Sequence, residues 1–104
     1  MNIVDELHAI AAALRVAGIP YAVCGGIAVT AYGATRTTKD IDIAIARESL
    51  AKAISTVAPL GYAIQAAPMV FGENTDRERH VLRISKIQGS HHLVLDLLIA
   101  EEWR

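Results

Sequence analysis

Apolar residues recur at Ile3, Leu7, Ile10 and Leu14, the alternating four- and three-residue step of one helical face. Asn2 stands where an N-cap belongs and Gly18 and Pro20 close the run, so an amphipathic helix is predicted over 2–17. Tyr21 to Cys24 then reads as a short buried strand, and Gly25-Gly26 as the turn out of it. Residues 27–32 carry small side chains suited to a short helix lying close on a sheet, capped by Gly33. A polar loop over 34–39 leads into a strand from Asp40 to Ile45. Leu50, Ile54 and Val57 recur at helical steps within a helix from Glu48 to Ala58, which Pro59 and Gly61 end. Tyr62 to Gly72 is extended but broken by Pro68, an edge strand or a loop. Glu73 to Arg79 is a solvated connector, a hairpin tip or a lid.

From His80 to Ile87 the pattern alternates, with Leu82 and Ile84 on one face and Arg83 and Ser85 on the other. Gly89-Ser90 turns the chain, and His91 and His92 read as turn residues that point to opposite faces and make a poor chelating pair. Leu93 to Ile99 is apolar except for Asp96, which predicts a largely buried strand. The fold class expected is mixed α+β: a small mixed sheet of four or five strands, three helices mainly on one face, and the carboxylates clustered at one edge.

Composition narrows this picture. A chain of 104 residues, 53% hydrophobic but only 5% aromatic, makes a single domain over 1–104 whose core is built from Ala, Val, Ile and Leu. A net charge of −1 gives no basic excess for nonspecific nucleic-acid binding. The lone cysteine, Cys24, has no disulfide partner and reads as an inert core residue, and no apolar run approaches the length of a membrane span. A cytoplasmic protein that does not enter a membrane is expected.

The chemistry concentrates in two stretches. Asp40 and Asp42 alternate with Ile41 and Ile43, so in a strand both carboxylates leave by the same face, roughly 6–7 Å apart at Cα. Two carboxylates aimed together call for a cation between them, and Mg²⁺ carrying a nucleoside triphosphate is the usual one. Asp96 poses the same question inside its apolar run, because an unpaired carboxylate there costs several kcal/mol. A structural answer pairs it with Arg83, and the cationic loop at Arg36 and Lys39 has a similar reading as charge balance for Asp40 and Asp42. Gly25-Gly26 taken alone is as readily a tight turn as a phosphate cradle.

Together these pieces resemble a known pattern. A hydrophobic residue with Gly25-Gly26, a spacer over 27–39, and Asp40-Ile41-Asp42-Ile43 are similar to the signature of the polymerase-beta-type nucleotidyltransferase superfamily. The local form Gly33-x-x-Arg36-x-Thr38-x-Asp40-Ile41-Asp42 is most similar to the AbiEii-like branch, which includes toxin–antitoxin and phage-defence proteins. The resemblance implies a nucleotidyltransferase fold and a third carboxylate on a neighbouring strand, which Asp96 matches. It implies that Asp40, Asp42 and Asp96 are catalytic and hold Mg²⁺ or Mn²⁺, with Asp42 bridging two ions and Asp96 completing the site of the attacking hydroxyl. Gly25, Gly26, Thr30 and Arg36 would contact the nucleotide; many members place Ser after the first Gly, where this chain has Gly26, so backbone donors and Thr30 would serve instead. The implied reaction moves a nucleoside monophosphate from a triphosphate to a protein, RNA or small-molecule acceptor, releasing pyrophosphate. Relatives carry a largely helical C-terminal region without a counterpart in these 104 residues, so either a homodimer or a small helical partner protein would complete the pocket, or the chain is a remnant or one domain of something longer. A catalytically incomplete binding module, acting as a toxin–antitoxin partner, and a plain structural metal site are the competing expectations.

Overall fold

The computed structural model describes residues 2–24, 40–76 and 78–101. Helix α1 spans Ile3–Val16, and the Asn2 side chain accepts from the N–H groups of Val4 and Asp5 at its start. Strand β1 is Tyr21–Cys24 and β2 is Asp40–Ala46. A short 3₁₀ turn at Arg47–Ser49 opens into helix α2, Leu50–Val57, and a second at Ala58–Leu60 closes it. The remaining strands are β3, Ile64–Gln65; β4, Met69–Phe71; β5, Arg79–Gln88; and β6, His91–Ala100. The predicted helix over 27–32 and its cap at Gly33 lie outside the described residues.

Among the described residues the sheet has six strands rather than the four or five expected, in the order β1-β2-β6-β5-β3, with β4 also on β5. The extra count comes from Tyr62 to Gly72. Pro68 offers no N–H to a ladder, so this edge pairs with β5 in two pieces, at Ile84–Ser85 and at Arg79–Val81. Strand β2 runs parallel to β6, and every other pairing among the described residues is antiparallel. Strand β1 is a partly exposed edge, not a buried strand, with Val23 at 40% exposure, because among the described residues only β2 pairs with it. His91 and His92 open β6 instead of lying in the turn, and β5 begins one residue earlier than predicted, at Arg79.

Alternation sorts the two faces. Ile41, Leu95 and Ile84 sit side by side across β2, β6 and β5, as do Ile43, Leu97 and Leu82, all buried. Ile10 and Leu14 of α1, Ala53 and Val57 of α2, and Ile19 and Tyr62 close over them in one core. Both described helices therefore pack on one face of the sheet, as expected, and the other face is left for Asp42, Asp96 and Arg83.

A polar cluster pins α1 to the sheet at the rim of this core. Glu6 accepts from the Tyr62 hydroxyl at 2.8 Å and from Lys86 Nζ at 2.9 Å, while Lys86 lies 5.4 Å from the Tyr62 ring centroid. Gly61, at φ +102, turns the chain so that Tyr62 points inward. Burial raises the Glu6 pKa, but the hydrogen bonds from Lys86 and Tyr62 outweigh it and the net shift is downward from 4.5. A carboxyl with a depressed folded pKa adds stability above its unfolded pKa and loses it as pH falls through the folded value. Glu6→Gln is expected to cost about 1–2 kcal/mol at neutral pH. Urea midpoints measured from pH 6 downward should show the gap between wild type and variant narrowing below about pH 4.5. A constant gap would assign the loss to packing alone.

Candidate active site

The site grows out of alternation in three neighbouring strands. Ile41, Ile43 and Ile45 occupy the core side of β2, which sends Asp40, Asp42 and Ala44 to the opposite face. In β6, Leu93, Leu95 and Leu97 face the core, and Asp96 and Leu98 leave by the other side. The parallel register sets Asp42 directly beside Asp96, and the antiparallel register of β5 sets Arg83 on the far side of Asp96. Cys24 pairs with Asp42 from β1, so one row crosses four strands as Cys24, Asp42, Asp96, Arg83. Asp40 lies two residues along β2 on the same face, opposite Val94.

Asp42 and Asp96 thus meet as the resemblance implies, but near the middle of the sheet and not at its edge, because β2 and β6 are interior strands. Asp96 is the buried charged residue among those described, at 8% exposure. Its burial is compensated by a forked contact: Arg83 Nε donates to Oδ1 at 2.8 Å and an Nη donates to Oδ2 at 3.0 Å. The structural partner anticipated for Asp96 is therefore present together with the neighbouring carboxylates. Burial pushes the Asp42 carboxyl up, Asp96 and Asp40 push it further, and Arg83 opposes them. The Arg83 guanidinium is held still more firmly protonated by its hydrogen bond to Asp96 and by the charges of Asp96, Asp40 and Asp42.

Two cavities open on this face. One of about 240 Å³ is walled by Asp42, Asp96 and Arg83 on the polar side and by Met69 and Phe71 on the apolar side. Beside it, a cavity of about 420 Å³ runs past Cys24, Ala44 and His80 to Glu78 and Glu101. Arg79 and Leu98 line both, so the two are adjoining compartments. Cys24 is consequently a half-exposed wall residue and not part of the core. Arg79 was not anticipated as a site residue. Its signal is the run Arg79-x-Val81-x-Arg83, which in a strand puts both arginines on the face opposite Leu82 and Ile84. Gly25, Gly26, Thr30 and Arg36 lie outside the described residues.

Hard carboxylate oxygens suit Mg²⁺ or Mn²⁺, and the negative surplus around Asp42 is what a cation would relieve. The donor types fit such an ion, whereas the present pairing does not offer three of them together. Among the described residues no group of three His, Cys, Asp or Glu side chains is disposed to hold a metal. Arg83 occupies both oxygens of Asp96.

Comparison with known proteins adds an independent line. The family model described as aminoglycoside-2''-adenylyltransferase matches residues 6–90, a span that includes Asp40 and Asp42 and stops short of Asp96. The crystal structure of ANT(2'')-Ia in complex with adenylyl-2''-tobramycin is similar over 96% of this chain at 26% identity and a TM-score of 0.59. The chain spans about half of that protein, 52% of its length. JHP933 from Helicobacter pylori is similar over 95% of this chain and 42% of its own, at 22% identity and a TM-score of 0.46. No curated protein sequence matches. Among the described residues no helix is long and apolar enough to cross a membrane.

Proposed function

The chain belongs to the aminoglycoside-2''-adenylyltransferase family, and from that premise we propose that it transfers a nucleoside monophosphate, an adenylyl group first of all, from a nucleoside triphosphate to a hydroxyl of a small polyhydroxylated, amine-bearing acceptor. The observation that carries the reading is the register that sets Asp42 beside Asp96, next to Asp40, on an open face with two adjoining cavities. The family directs the acceptor toward a small molecule, and away from the protein or RNA that an AbiEii-like assignment admits. Nucleotidyl transfer as such is shared by both assignments.

In the proposed reaction the acceptor hydroxyl oxygen forms a bond to the α-phosphorus and the bond to the pyrophosphate oxygen breaks on the opposite side. The hydroxyl proton passes to a carboxylate of the cluster. A divalent cation held by Asp40 and Asp42 would screen the triphosphate and polarise the phosphoryl centre. Arg79, lining both compartments, is placed to meet phosphate oxygens between nucleotide and acceptor. Glu78 lines the larger cavity and supplies negative charge suited to an acceptor amine, while Glu101 beside it is paired with Arg47.

The test is incubation of the purified chain with each α-³²P-labelled triphosphate, Mg²⁺ or Mn²⁺, and tobramycin or related aminoglycosides. A labelled acceptor with matching pyrophosphate release, most efficient with ATP, is the expected result. Pyrophosphate release without a labelled small molecule would sink the acceptor assignment. Absence of both across all four nucleotides would sink nucleotidyl transfer by this chain.

A further inference from the structure

The forked contact between Arg83 and Asp96 does more than satisfy a buried carboxylate. We propose that Arg83 is an internal counter-cation of the carboxylate row, and that a divalent ion entering between Asp42 and Asp96 competes with its guanidinium for the Asp96 carboxylate. The inference rests on the nucleotidyl-transfer reading only in taking these carboxylates as cation ligands.

Three observations support it. Each Asp96 oxygen accepts a hydrogen bond from Arg83, at 2.8 and 3.0 Å, so an ion on Asp96 would share those oxygens with a guanidinium already bound there. Asp42 stands on the other flank of Asp96 in the same row, so an ion bridging the two carboxylates would meet the guanidinium's charge across Asp96. The Arg83 side chain is 42% exposed where that of Asp96 is 12%, and Arg83 lines the 240 Å³ cavity. Its guanidinium therefore has open space to swing into, while the carboxylate it leaves stays in place.

Ion binding and the Arg83–Asp96 pair therefore oppose one another, and each weakens the other by the same factor. The closed fork tempers repulsion among the carboxylates and raises the ion concentration needed to bind between them. A triphosphate arriving with its ion offers the released guanidinium new oxygens, which favours filling by the ion–nucleotide complex over the bare ion. Arg83 acts here through Asp96, as a positioning residue.

Mn²⁺ titration without nucleotide, followed by the loss of the free-ion paramagnetic signal, tests this on the full chain. Arg83→Gln is expected to bind Mn²⁺ about ten-fold more tightly than wild type, and Arg83→Lys, which keeps the charge, to stay within about three-fold of it. A guanidinium with a merely structural role predicts weaker binding in Arg83→Gln. In the wild-type protein the Arg83 Nε–H signal should be protected from solvent exchange and lose that protection as Mg²⁺ is added, a readout that does not depend on a variant folding. Equal or weaker Mn²⁺ binding by Arg83→Gln, protection that persists at saturating Mg²⁺, or no Mn²⁺ binding by any of the proteins at millimolar concentration would each overturn the proposal. Transfer activity with a persistently closed fork would discard the counter-cation alone. Tighter Mn²⁺ binding without transfer would discard the reaction alone.

Discussion

Asp42→Asn is expected to lower nucleotidyl transfer by about 10³-fold, roughly 4 kcal/mol of transition-state stabilisation, while leaving the fold intact and slightly more stable. The two effects have one origin. Asp42 is pressed between burial, its neighbour Asp96 and Asp40, so its folded pKa lies above the ordinary 3.8. A carboxyl with a raised folded pKa binds more protons in the native state, and its contribution to stability falls as pH rises from the unfolded value through the folded one. At neutral pH the native state carries that penalty in full. Asn has nearly the same shape and no charge, so removing a like charge set directly beside Asp96 is expected to gain about 0.2–1 kcal/mol. Urea midpoints at neutral pH check the gain, and the radiolabel assay checks the loss. A variant both inactive and destabilised would mean that Asp42 supports the sheet, and its catalytic assignment would fall.

The second large effect is expected in the core. Leu95 is fully buried at the centre of β6 with Ile41 and Ile84, also fully buried, on either side. Leu95→Ala leaves a hole that neighbours on regular strands cannot close, and should cost about 3 kcal/mol. Leu98→Ala, on the half-exposed cavity side of the same strand, should cost under about 1.5 kcal/mol. Comparable losses at the two positions, measured by urea denaturation, would contradict the assignment of the faces.

Those faces were largely legible in the sequence. Ile41 and Ile43 alternate with Asp40 and Asp42, Leu82 and Ile84 with Arg83 and Ser85, and a single carboxylate in an apolar run marks Asp96 as a residue with a task. The pairings were less legible. Which strand lies beside which is a long-range property, so the parallel match of β2 with β6 that turns two separate signals into one site had to be implied by resemblance rather than read from periodicity. Placing the carboxylates at an edge failed for the same reason. A two-residue strand such as Ile64–Gln65 has no room to display alternation, which is why the sheet count came out low. Cys24 misled differently: apolar neighbours suggested burial, but an edge strand has one flank without a ladder partner among the described residues.

The parallel β2–β6 match also carries an expectation for the order in which the chain folds. Strands β5 and β6 are joined through Gly89-Ser90, with Gly89 at φ +60 in the first position of a two-residue connection, so this hairpin closes a minimal loop and brings Arg83 onto Asp96 early. Strand β2 arrives from far away in the chain and pays a larger loop-closure cost before its contacts form. On loop-closure grounds Asp96 is expected to gain its local partner before Asp42 is brought against it, together with the core residues Ile41, Ile43 and Ile45 of the same strand.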